Sequence, residues 1–179
     1  MVAVGERAVA LVCERPGVIE QYTAQWGGSD AVLESLFENS EHEKTCPDET
    51  VLALRDSCHD VRWEHHRTVR GQAIQEVVDY LAYDVVYLVT LAGIFVYQPV
   101  WHGLLPTCPP GDGTLVRVKS LDEHRLFRRV IRQHKALLYE FMSADLLTER
   151  RAERLVATLL LLGFPDRSVS ATKTPPFSR

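Results

Sequence analysis

Five residues between positions 46 and 66 are of the types that hold zinc: Cys46, Cys58, His59, His65 and His66. Thiolate and imidazole ligands converging tetrahedrally, with one position left open, would make a metal-assisted hydrolase. The spacing matches none of the common finger or ribbon patterns and contains no tight CxxC pair. Zinc is therefore a candidate only if the fold brings these side chains together, and the sequence requires no cofactor.

A second group is cationic. On a helix over residues 121–142, Arg125, Arg128, Arg129, Arg132 and Lys135 fall within about 120° of one another at 100° per residue. They lie opposite an apolar stripe of Phe127, Val130, Ile131, His134, Leu138 and Phe141. Such a basic stripe suits the phosphate backbone of a nucleic acid. If it bound DNA, replacing Arg128 and Arg132 together should weaken salt-dependent binding and leave stability intact. No aromatics interleave with the arginines, which argues against base stacking.

Residues 26–30 (Trp-Gly-Gly-Ser-Asp) join a strand to a helix start, where free backbone N–H groups can cradle an anion. The segment lacks the lysine of a phosphate loop, and Asp30 would repel phosphate, so it is expected to be a turn and a cap. No nucleophile elbow, HExxH or kinase set occurs. The carboxylate pairs Asp56/Asp60 and Glu76/Asp79 are explained as exposed helix faces. A non-enzymatic module is the leading expectation.

Charge is unevenly placed. Residues 1–50 carry ten acids and three bases, and residues 120–179 carry seven acids and eleven bases, within a net charge of −4 over 179 residues. The basic third can meet a polyanion, or it can face the acidic third of its own or a neighbouring chain. The opening MVAVGERAVALVCERPG has no basic leader, which predicts a cytoplasmic chain with free cysteines. From Val85 to Trp101 no residue is charged, but Gly93, Gln98 and Pro99 interrupt a run too short to span a bilayer. No membrane partner is expected.

The elements that must position these groups can be read from periodicity. Residues 7–14 form a continuous apolar run, expected as a strand covered on both faces. Residues 18–26 alternate, and Arg15-Pro16-Gly17 turns between them. A short helix is expected at 31–38, and residues 39–50 are polar and loop-like. A helix over 69–82 would place Ile74, Val77, Val78 and Leu81 on one side. Strands follow at 84–91, 94–101 and 114–119. The helix over 121–142 is followed by a second one, capped at Thr148, with Ala152, Leu155, Val156, Leu159 and Leu160 inward. Residues 165–179 have tail composition and are expected to be disordered.

Arg7-Ala8, then Glu14-Arg15-Pro16, Tyr22 and Trp26-Gly27 resemble the opening hairpin of a family of small haloarchaeal proteins of unknown function. Tyr97-x-Pro99-x-Trp101-x-Gly103 looks like a second region of that family. The resemblance spans most of residues 7–162 and implies a fold, an archaeal halophile as source, and no activity.

The expected architecture is one α+β domain over residues 1–164. A five-stranded, largely antiparallel sheet would be covered by helices and closed by a C-terminal helical hairpin. The expected function is a protein-interaction or regulatory module whose partner is another protein or a second copy. Nucleic-acid binding and metal-dependent hydrolysis are the alternatives.

Overall fold

In the computed structural model, the described residues are 6–38, 61–104, 113–164 and 168–170. They form a mixed sheet carrying helices, so the α+β class holds. The strands are β1 (Ala8–Arg15), β2 (Val18–Ala24), β3 (Glu64–Arg70), β4 (Val85–Thr90), β5 (Gly93–Trp101), β6 (Gly113–Val118) and the three-residue β7 (Ser168–Ser170). The helices are α1 (Asp30–Glu38), α2 (Ile74–Val77), α3 (Leu121–Ser143) and α4 (Glu149–Gly163).

The spatial order is β3-β2-β1-β4-β5-β6-β7. Two antiparallel meanders, β1-β2-β3 and β4-β5-β6-β7, meet along one parallel seam where Ala8 to Val12 of β1 pair with Val85 to Val89 of β4. Six strands make the main sheet and β7 adds an edge, which corrects the five-stranded expectation. The extra strands come from β3, hidden by its polarity, and from Ser168–Ser170 within the expected tail.

The seam explains the two unbroken apolar runs. Ala8, Ala10 and Val12, with Val85, Tyr87 and Val89, pack under Val32, Leu33 and Leu36 of α1. Val9, Leu11 and Val86 point to the other face, against Val77, Val78 and Tyr80. Strands covered on both sides read as continuous hydrophobes because both side-chain parities are buried. A third cluster joins Val100 and Val116 to Phe127 and Ile131 of α3 and Val156 and Leu160 of α4.

The helix expected at 69–82 is mostly absent, and only one turn, α2, survives. Gly71 adopts φ +68°, and Val78 is extended at φ −81°, ψ 129°. The Asp79 carboxylate accepts hydrogen bonds from the Leu81 and Ala82 N–H groups, a turn that competes with helical bonding. Val77, Val78 and Tyr80 are held in the core from this irregular backbone, while Leu81 is exposed.

Helix α3 starts where Ser120 Oγ accepts from the Glu123 N–H at 3.1 Å and Glu123 reaches back to the Lys119 N–H at 2.6 Å. This reciprocal arrangement resembles a capping box. Helix α4 begins at Thr148 without a side-chain cap bond. Among the described residues, no helix is long and apolar enough to cross a membrane.

Candidate functional site

The basic stripe of α3 is largely spent inside the molecule. Arg125 donates from Nε (2.9 Å) and Nη2 (2.7 Å) to Asp30 Oδ2 at the start of α1. Arg128 donates to Glu6 Oε1 at 2.8 Å and stands 3.6 Å from Asp84 Oδ1. The other oxygen of Asp84 accepts the Arg7 N–H at 3.1 Å. Lys135 donates to the carbonyl oxygens of Trp101 and Gly103, with its ammonium 5.3 Å from the Trp101 ring centre. Arg129 and Arg132 are exposed and have no ion-pair partner among the described residues. Two of five cations are thus left for a polyanion.

His124 lies beneath this network. It is 1% exposed, and neither ring nitrogen has a hydrogen-bond partner among the described residues. Desolvation, reinforced by the Arg128 charge, pushes its pKa down to about 4. The ring is neutral at pH 7 and behaves as a core side chain in line with Phe127 and Ile131.

Of the zinc candidates, Cys46, Cys58 and His59 lie outside the described residues. His65 and His66 sit on the edge strand β3. The register steps between Gln21↔Arg67 and Tyr22↔His65, leaving His66 as the extra residue of a bulge. His65 packs edge-on against Tyr22, with ring centres 5.2 Å apart. Among the described residues, no group of three or more His, Cys, Asp or Glu side chains could hold a metal ion. Residues 26–30 form a turn: the Gly28 N–H donates to the Glu6 carbonyl, and the Gly27 carbonyl accepts from Tyr87 Oη at 2.6 Å.

Sequence reasoning missed a part-buried polar link beside the same bulge. Arg67 is exposed, yet its Nε donates to Gln21 Oε1 at 2.8 Å and its Nη2 donates to the Val77 carbonyl at 3.3 Å. Gln21, 2% exposed, also donates to Tyr83 Oη at 3.4 Å. Alternation over residues 18–26 puts Gln21 on the face opposite Val18 and Tyr22, the solvent side if the strand were half-buried. The visible signal was Ile19 breaking that alternation, which marks a strand covered on both faces.

A cleft of about 380 Å³ lies at the far end of β1-β2-β3, lined among the described residues by Val12, Arg15, Val18, Glu20, Thr68 and Arg70. A separate surface lies on the helical hairpin. Helix α3 runs 23 residues, roughly 34 Å. Its last buried residue is Ile131; beyond it Leu138 still packs on the third cluster and Lys135 is half-buried, while most of the remaining residues are exposed. Phe141, expected on the core stripe, is 42% exposed, and His134 is exposed too. Leu155, expected inward on α4, is also exposed; the buried residues there are Ala152, Val156 and Leu160. Of the ten exposed large hydrophobics among the described residues, seven belong to this hairpin: Leu126, Leu137, Tyr139, Phe141, Leu146, Leu155 and Leu162.

No protein-family model, curated protein or solved structure matches this chain.

Proposed function

We propose that the protein is a non-enzymatic interaction module that pairs with a second copy of itself through the exposed flank of α3. The carrying observation is that Leu126, Leu137 and Phe141, three exposed large hydrophobics, share one flank of α3, since contiguous exposed apolar surface marks an association site.

The pattern on α3 supports a second copy as the occupant. Leu126, Val130, Gln133, Leu137 and Phe141 follow four-three-four-four spacing, close to the seam of a coiled coil. Turned end for end about the point between Gln133 and His134, the stripe lays Leu126 on Phe141 and Val130 on Leu137. A two-fold interface needs this self-complementarity. Arg129 and Glu140 share one flank of the stripe, eleven residues apart, so they differ by about 20° around the axis. In the antiparallel pairing, Arg129 comes within roughly two residues' rise of Glu140 of the second copy, and opposite charges face each other.

Light scattering across a concentration series tests this. The expected mass is about twice the 20.3 kDa of one chain, and Leu137→Glu with Phe141→Glu should return a monomer of unchanged thermal stability. A wild-type protein that remains a monomer at millimolar concentration would sink the proposal.

A further inference from the structure

We infer that the far end of the β1-β2-β3 meander is a binding site for a small carboxylate or phosphate that also carries a hydroxyl or ammonium donor. This does not rest on the association proposed above.

The six residues of the cleft are two adjacent cross-strand rows. Arg15 pairs with Val18, which pairs with Arg70; one step inward, Val12 pairs with Glu20, which pairs with Thr68. Each row crosses three strands, so Arg15 and Arg70 stand about 10 Å apart at their backbones, with Val18 as the floor between them. An arginine side chain covers more than half that distance, so both guanidiniums can close on one anion. Neither Arg15 nor Arg70 has an ion-pair or hydrogen-bond partner among the described residues, although Glu20 shares their face. The Glu20 carboxylate is instead held by the Tyr22 hydroxyl, which donates to Oε2 at 3.1 Å.

The backbone holds the two arginines in fixed relation. A register shift in β1 between Val12 and Arg15 brings Arg15 opposite Val18, as a bulge re-aims a side chain. Gly17 takes φ +73° in the turn, and its carbonyl accepts the Gly71 N–H at 2.9 Å. That bond ties the β1–β2 turn to the end of β3, one residue past Arg70. Two unpaired planar forks on a tied frame suit a bidentate anion. Glu20, the one acid among the described residues of the cleft, repels a bare anion unless the ligand also offers it a hydrogen-bond donor. The volume lies within the range of small-molecule sites.

Isothermal titration of the full chain with inorganic phosphate, glycerol 3-phosphate and glutamate separates the chemistries, with potassium chloride matched for ionic strength. The expected result is that glycerol 3-phosphate or glutamate binds more tightly than inorganic phosphate. Arg15→Ala and Arg70→Ala should each weaken that binding at least about tenfold. Glu20→Gln should narrow the preference for the donor-bearing ligand, and thermal melts of each variant check that it is folded. Heat no greater than that of the chloride control for all three probes would overturn the inference. So would binding that survives in a folded Arg15→Ala/Arg70→Ala double variant, or inorganic phosphate binding as tightly as the others.

Discussion

Glu6 and Arg128, 122 positions apart, meet through a 2.8 Å charge-assisted hydrogen bond. Both side chains are about one-quarter to one-third exposed. The contact fastens Glu6, two residues before β1, to the second turn of α3, and it converts the opposed charges of the two chain ends into tertiary structure.

This pairing separates two arginines that the helix period treats alike. Arg128→Ala should cost about 1 kcal/mol, because it strips a partner from both Glu6 and Asp84. Arg132→Ala, on exposed surface, should stay within about 0.5 kcal/mol of wild type. Urea unfolding of the two variants checks this. Equal stabilities would show that the ion pairs contribute nothing, and the expected indifference of the double replacement would stand after all.

His124 should make stability depend on pH. Its folded pKa, about 4, lies below the unfolded value near 6.5. Between those values the unfolded chain binds a proton that the folded protein does not, so stability is highest above pH 6.5 and falls as pH drops toward 4. The contribution reaches at most about 3 kcal/mol. In His124→Leu that part of the slope should vanish, as denaturant midpoints at pH 7 and pH 4.5 would show. Parallel slopes for the variant and wild type would contradict the assignment.

Gly113 opens β6 opposite Trp101, and a Cβ there would overlap the Tyr80 ring. Gly113→Ala should therefore destabilise by roughly 1–3 kcal/mol through overpacking. Tyr80→Ala in the same chain removes the obstacle, so the double variant should lose less than the sum of the singles. Strict additivity in thermal melts would mean that the ring moves aside freely.

Charge exchange probes the pairing of α3 with a second copy. Arg129→Glu alone should weaken the dimer by facing Glu140 with a like charge, and Arg129→Glu with Glu140→Arg should restore it. Sedimentation at low and high salt is the measurement. A double exchange no better than the single would reject the antiparallel register.

The legible part of this fold is that whose cause is local. β1, β4 and β5 are written as apolar runs, β6 as a short alternation, and α1, α3 and α4 as periodic stripes. What stayed hidden has long-range causes. β3 is polar along nearly its whole length because it lies at the sheet edge, with only Val69 turned toward the core. Residues 78–83 continue the hydrophobes at helical spacing, yet they run as irregular chain because β-branched neighbours and the Asp79 turn oppose a helix. In the candidate sites, Arg125 and Arg128 were visible as a stripe, but their carboxylate partners were not. The cleft residues Arg15, Glu20 and Arg70 come from three strands and share no local pattern.

The sequence by itself determined the α+β class, the central strands and the amphipathic helices, because hydrophobic period and capping act over a few residues. Only the tertiary structure decided strand order, the parallel seam, which residues of α3 reach its core and which charges are neutralised. Each of these depends on contacts between residues tens of positions apart. Local periodicity sets which face of an element is apolar; it does not set what that face meets.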